Sequence, residues 1–287
     1  MTARPEATSA DRAASRLTDF YGEMSSIDSI MRGLVREGVD AKKFTARDLY
    51  SRGLDVQTLG GLLVLETVIK GMEEYGAPNR GDAILDVGCG LGGPSRYLAD
   101  RYGCRVTGVD LLPIRVEVAS SLARMVGMDK QVTYRVADAT QLPFKKGQFA
   151  QVWMLDASIH IRDKGRLFAE LARVLAPAGL LVMHDQPGPL PPSMRPVMRR
   201  APYIAPTLPQ LIRHLQSVGL EVLTWRATTP LAVQDLKNKM EARQKAQATG
   251  SVSPARLKHS LAAGLGYIKA LEKEGSQSGF FIARRVT

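Results

Sequence analysis

Apolar residues recur at helical spacing over 11–38, where Leu17, Phe20, Met24, Ile27, Ile30, Met31 and Leu34 fall three or four positions apart. A second helical stretch covers 59–76, and between the two lies Asp-Leu-Tyr-Ser-Arg-Gly-Leu-Asp at 48–55. The period then changes. Apolar runs of strand length near 83–87, 105–109, 131–136, 149–155 and 179–184 alternate with helical patterns near 93–102, 113–126 and 164–175. Strands separated by helices of this length predict βαβ crossovers and a parallel sheet. Asp163 stands where an N-cap belongs, ahead of Leu167, Leu171 and Val174.

After the fifth run the regularity is lost. Gly188-Pro-Leu-Pro-Pro and Pro196 mark an irregular segment, followed by a helix near 207–217 and a strand at 220–226. Helical stretches at 232–247 and 254–273 precede a closing strand at 279–284, with Ser253-Pro254 as a cap and first turn. The expected fold is α/β: a doubly wound, mostly parallel, seven-stranded sheet with helical cap elements at both ends. The expected division is a disordered tail over 1–10, a helical cap over 11–80, and a main domain over 81–287 with cap insertions near 187–205 and 230–275.

Composition changes this picture little. The chain has 287 residues, 45% apolar and 23% charged, as in a soluble globular protein. It holds no run of 18 apolar residues, so no transmembrane helix and no membrane partner are expected. The first ten residues lack the apolar core of a secretory signal, and the two cysteines, Cys89 and Cys104, show no metal-ligand spacing. A reducing cytoplasm, no metal, and a structural Cys89 are the expectations. Charge is uneven: of the net +11, residues from 188 onward carry 15 Lys and Arg against 5 Asp and Glu. That surplus is either a set of solvated helix faces or a field that attracts an acidic small-molecule partner. Aromatics make up 6% and no RNA-binding module is present, which argues against nucleic acid. A homodimer is a candidate assembly.

The chemistry concentrates at 84–93, Ile-Leu-Asp-Val-Gly-Cys-Gly-Leu-Gly-Gly. A strand ends at Asp86, glycines follow at Gly88, Gly90, Gly92 and Gly93, and a second strand ends 24 residues later in Asp110. A strand turning sharply into a helix needs backbone angles that a Cβ forbids, and bare backbone lets a ligand lie close. An acid at the end of the second strand can accept both hydroxyls of a ribose. Gly88, Gly90 and Gly93 also fit the dinucleotide spacing G-x-G-x-x-G. Asp86, two residues before the first glycine, discriminates: it would repel a pyrophosphate and attract an ammonium.

Asp-Val-Gly-Cys-Gly-Leu-Gly-Gly resembles the first motif of class I S-adenosylmethionine-dependent methyltransferases. Val136-Ala-Asp-Ala139 resembles the segment whose acid binds the adenine amine, and Leu142-Pro-Phe144 the apolar run after it. Arg173-Val-Leu-Ala-Pro-Ala-Gly-Leu180 is similar to the family's Arg-Val-Leu-x-Pro-Gly-Gly, with Ala178 in place of one glycine. Leu49-Tyr-Ser-Arg-Gly53, Leu155-Asp-Ala-Ser-Ile-His160 and Ser278-Gly-Phe-Phe-Ile-Ala-Arg284 are similar to the branch of sarcosine/dimethylglycine, tocopherol and natural-product sugar methyltransferases. The resemblance covers roughly 45–230.

It implies a Rossmann-like methyltransferase fold and S-adenosylmethionine as cofactor, with S-adenosylhomocysteine as product. It implies Tyr50 at the methionine end, Asp86, Gly88 and Gly90 at the glycine turn, Asp110 and Leu111 at the ribose, Asp138 and Ala139 at the adenine, and Leu155 beside them. The acceptor would be a small molecule with an O, N or C nucleophile. His160, past the fourth strand, and Asp185, at the end of the fifth, resemble a His–Asp pair that serves as base in some sugar methyltransferases, and Asp156 is a further candidate. For His160 three roles stay open: general base, acceptor orientation, or a helix-start histidine bonding nearby backbone. His184 is expected to be structural. Tyr21 and Tyr50 are candidate lid residues, Tyr21 facing the acceptor, the lid being the N-terminal helices with 187–205. The alternatives from other classes are an NAD-dependent oxidoreductase, a cofactor-binding subunit without catalysis, and an RNA methyltransferase.

Overall fold

The computed structural model describes residues 9–21, 26–199, 201–248 and 254–286. Of the tail expected over 1–10, residues 1–8 lie outside the described residues, and so does the Ser253 cap. Ser9 and Ala10 open a helix.

Strands β1 (Ala83–Val87), β2 (Arg105–Asp110), β3 (Val132–Val136), β4 (Phe149–Leu155), β5 (Leu175–Asp185), β6 (Leu220–Ala227) and β7 (Gly279–Arg285) form one sheet in the order β3-β2-β1-β4-β5-β7-β6. β7 runs antiparallel to both neighbours, and the other pairings are parallel. The apolar runs are continuous because both faces are covered. Ile84, Trp153, Val182 and Ile282 turn to a face packed by α4 (Gly61–Glu73) and α5 (Gly93–Tyr102). Their neighbours Leu85, Val152, Leu181 and Phe281 turn to the face packed by α7 (Lys164–Val174) and α8 (Leu208–Ser217). α6 (Pro113–Met125) connects β2 to β3. Asp163 caps α7, accepting from the Arg166 N–H at 2.9 Å. Strand order reverses between β1 and β4, so the crevice at their carboxyl ends is where a doubly wound sheet takes its ligand.

Two elements differ from their sequence patterns. The helical spacing over 11–38 belongs to two helices, α1 (Ser9–Tyr21) and α2 (Ile27–Arg36). Ser26 accepts from the Ser29 N–H at 3.1 Å and so starts a new helix. The two then serve different cores. Ile30 and Leu34 of α2 pack with Leu49 of α3 (Ala46–Ser51), Leu91, Val118 and Leu122. Leu17 of α1 packs with Leu112, Met194, Met198, Ala201 and Ala270, beneath α10 (Pro254–Lys273). The long helix α9 (Thr229–Ala248) lies on α4 and the 54–60 segment through Ala232, Val233 and Leu236. The second difference is β5, which starts at Leu175 and passes through Ala178 at φ +58°, a left-handed alanine where the resembling motif has glycine. Among the described residues no helix is long and apolar enough to cross a membrane.

Candidate active site

The glycine turn shapes the floor of the crevice. Gly88 has φ +73° and Gly90 φ +55°. A Cβ on Gly88 would stand 2.4 Å from the Cβ of Ala157, and one on Gly90 would stand 3.1 Å from both Arg115 Nη2 and Gln57 Oε1. Backbone is therefore bare where a ligand must approach. Asp86 is 2% exposed and accepts the Ser95 hydroxyl at 2.6 Å. Burial pushes its carboxyl up to about 6, against the pull of Ser95 and with the help of nearby Asp110. Asp110 accepts from the Gly90 N–H on one oxygen and the Leu112 N–H on the other, each at 3.0 Å, which fixes its plane. Asp138 holds the Thr140 N–H and hydroxyl on one oxygen, both at 2.8 Å. Cys89 is buried in the turn, and burial followed by the repulsion of Asp110 holds its thiol well above the ordinary range, in the protonated form.

Opposite this floor stands a roof of Leu17, Tyr21, Met198, Ile204 and Tyr267, and the two enclose a cavity of about 990 Å³. Asp86, Gly88, Gly90, Asp110, Leu111, Asp138, Ala139, Leu155, Asp156, His160 and Tyr21 all line it.

His160 ends a 3₁₀ turn, Ser158–His160, that follows β4. Its Nδ1 lies 2.7 Å from the Pro202 carbonyl and its Nε2 2.8 Å from the Tyr21 hydroxyl. A carbonyl only accepts, so the proton is assigned to Nδ1, and Nε2 is left to accept from Tyr21. Burial lowers the pKa of His160, and burial raises that of Tyr21 to about 12. Both are neutral near pH 7, with a basic nitrogen aimed at the cavity.

The sequence expected two residues elsewhere. Tyr50 does not reach the cavity: its hydroxyl donates to Asp100 at 2.6 Å and its ring packs on Tyr97. The backbone of 53–60, just beyond it, lines the cavity instead. Asp185 is not the partner of His160. It is buried, accepts the Ser158 hydroxyl and the Gln186 N–H, and is not part of the lining. The acid beside the cavity is Asp156, held at φ +53°, whose carboxylate accepts the Leu59 N–H at 2.8 Å and faces His184 Nδ1 at 3.0 Å. His184 also meets the Thr228 hydroxyl at 2.8 Å, which makes it a strut between β5 and the start of α9. The sequence reading missed Arg115, Gln57, Gln186 and the α9 residues Asp235, Lys239 and Arg243 on the lining. Only the spacing of the last three, four residues apart on one helix face, could have signalled them. Among the described residues no three His, Cys, Asp or Glu are grouped to hold a metal ion.

Residues 85–183 match the family described as a methyltransferase domain. A probable tocopherol O-methyltransferase of Oryza sativa subsp. japonica is 40% identical over 107 residues, 37% of this chain and 30% of the rice protein. The chain spans about a third of the length of the curated relatives it matches. A solved phosphoethanolamine N-methyltransferase 2 of Haemonchus contortus superposes with TM-score 0.75 at 21% identity, over 94% of this chain and 60% of that one. A geranyl diphosphate C-methyltransferase of Streptomyces coelicolor A3(2) superposes with TM-score 0.69 at 19% identity, over 96% and 99%. At such identities these two speak for the fold. The matched domain, the acid–glycine turn and the strand order agree: residues 85–183 form a methyltransferase domain within this doubly wound sheet.

Proposed function

We propose that this protein transfers a methyl group from S-adenosylmethionine to the nucleophilic O, N or C of a small-molecule acceptor held under the α1 roof. The observation that carries the reading is one cavity with an acidic, glycine-turned floor on one side and a neutral His160–Tyr21 pair on the other. Bare backbone at Gly88 and Gly90, and the carboxyl of Asp86 raised by burial beside Asp110, fit a cationic cofactor. Asp86 would hold the methionine ammonium, Asp110 the ribose hydroxyls and Asp138 the adenine amine, with Leu111, Ala139 and Leu155 as the apolar bed. When bound, the cofactor supplies a methyl group already activated on a sulfonium.

The chain's own part is alignment, exclusion of water and handling of one proton. A cavity of about 990 Å³ stands at the upper end of the usual range for small-ligand clefts and has room for two ligands. Orientation alone contributes on the order of 7–11 kcal/mol. His160 Nε2 takes the proton of an acceptor hydroxyl or ammonium that displaces the Tyr21 hydroxyl, and a general base adds roughly 10²–10⁴-fold. The Pro202 carbonyl holds the ring tautomer that this requires. Asp156 positions the 54–60 segment at the cavity wall.

Charge on the lining favours an acidic acceptor. Asp55 is paired with Arg96 and Asp235 with Lys239, Asp156 is engaged by the Leu59 N–H and His184, Asp163 caps α7, and Asp86, Asp110 and Asp138 lie on the floor, where a cationic cofactor belongs. The exposed Arg16, Arg162, Arg166 and Arg243 stand on the roof and rim. Two measurements test the reading. S-adenosylhomocysteine should raise the melting temperature and NAD should not; at about 100 times its dissociation constant a ligand stabilises by roughly 2.7 kcal/mol. Labelled cofactor should then pass its methyl group to members of a panel of acidic and neutral acceptors. Stabilisation by NAD alone would return the site to an oxidoreductase.

A further inference from the structure

Arg115 occupies a place that neither half of the cavity explains. It stands in the first turn of α6, five residues after Asp110, and only 8% of it is exposed. Its guanidinium touches three parts of the site at once. Nη1 lies 3.7 Å from an oxygen of Asp110, and Nη2 donates to Gln57 on the 54–60 segment. The face of the group lies 4.4 Å from the centre of the Tyr21 ring. Tyr21 in turn donates to His160 from the other side of the cavity. Among the described residues its Nε is buried without a hydrogen-bond partner. A buried arginine stacked on an aromatic ring contributes more than an exposed one, because neither face is spent on water.

We infer that Arg115 is a positioning residue that ties the ribose-binding carboxylate to the roof: it holds Tyr21, and through it α1, closed over a loaded cofactor site and fixes the Tyr21–His160 contact. The inference rests on the proposed transfer reaction. With Asp110 engaged by two ribose hydroxyls, the guanidinium is held between a fixed carboxylate and the Tyr21 ring, and α1 closes against it. A long cation at this point also sets the charge felt by the histidine. The charged groups around His160 are Arg115 from α6 and Lys164 from α7, which oppose its protonation, and Asp156 after β4, which favours it, while the Pro202 carbonyl accepts from the ring. Removal of Arg115 removes one of the two opposing charges, so the imidazole should bind a proton at higher pH.

The test uses the full chain and variants R115Q, R115K and Y21F, with melting temperature as the check on folding. Hydrogen exchange across α1 is measured with and without saturating S-adenosylhomocysteine, and the His160 ring is titrated by NMR, assigned with H160Q. In the wild type the ligand should slow exchange in α1 about thirtyfold, the size of one buried cation–π contact. R115Q should lose that protection at full occupancy and show His160 titrating at higher pH. R115K, which keeps the charge without the planar stack, should hold the titration near wild type and recover only part of the protection. Y21F, which keeps the ring, should retain the protection. A folded R115Q with wild-type protection and an unmoved His160 titration overturns the inference. A wild type that binds no S-adenosylhomocysteine would sink the transfer reading itself, a distinct result.

Discussion

Replacing Asp110 by Asn tests the floor most directly. Both oxygens of Asp110 are committed to backbone N–H groups, of Gly90 and of Leu112, at 3.0 Å each. An amide can present an oxygen to only one of them. Its NH₂ meets the other donor to donor, and leaving a buried N–H unpaired costs roughly 1–3 kcal/mol. Loss of the charge relieves the repulsion that helps to raise Asp86, which gives part of that back. Free-protein stability should therefore fall by about 1 kcal/mol. Cofactor affinity should fall further. Two ribose hydroxyls lose a charged acceptor, each such bond contributing roughly 1.5–3 kcal/mol, and weak neutral bonds remain. A net loss of about 2–4 kcal/mol weakens binding by about 30- to 1,000-fold. Calorimetric titration with S-adenosylhomocysteine, beside urea melts, measures both. A folded D110N that binds within threefold of the wild type would refute the role of Asp110.

Four further outcomes are expected. Asp86 carries a raised carboxyl, so its neutral form favours the fold below the unfolded value and that contribution is lost as pH rises through about 6. Ammonium binding needs the ionised form, and S-adenosylhomocysteine affinity should therefore fall below about pH 6, by up to tenfold per unit, on titration between pH 5 and 8. H160A should lower turnover by about 10²–10⁴-fold with cofactor affinity nearly intact, the deficit shrinking at high pH, where the acceptor ionises unaided; wild-type rates across pH would leave His160 a structural residue. A178G should stabilise the protein by about 0.5–1 kcal/mol in urea melts, because an alanine at φ +58° is strained where glycine is not. Deleting residues 1–21 should abolish turnover and spare the fold, whereas deletion of 1–40 also removes Ile30 and Leu34 from a buried cluster and should lower the melting temperature clearly.

The strands β1, β4 and β7 were legible because each is a short apolar run, and because two covered faces leave no polar alternation to confuse the pattern. Breaks inside apolar spacing were not. From Leu17 to Leu34 the helical period runs on past Ser26, yet one hydroxyl accepting the Ser29 N–H separates a roof helix from a core helix. Periodicity reports which residues are buried, and does not say against what. The start of β5 was hidden for a related reason: Ala178 has no local signature of a left-handed residue, and it falls between the Phe149–Leu175 and Gln151–Leu180 pairs, where the register with β4 shifts.

The floor of the site could be read because its parts are contiguous. Asp86, Gly88, Gly90, Asp110, Asp138 and Leu155 each stand at or within a few residues of the carboxyl end of a parallel strand, and topology alone carries them to one edge. The roof has no such rule. Tyr21 and His160 lie 139 residues apart, and the carbonyl that fixes the His160 tautomer belongs to Pro202, in a segment without regular structure. Tyr50 shows how a resemblance can point to the right segment and the wrong atoms. Its side chain turns to Asp100, while the glycine three residues later lets the backbone of 53–60 turn back over the cleft, and Asp156 pins that backbone through the Leu59 N–H. Asp185 missed for the complementary reason. Its position at a strand end was right, but the Ser158 hydroxyl and the Gln186 N–H hold it under the turn that carries His160, so it supports the turn from below and leaves the cavity to Asp156.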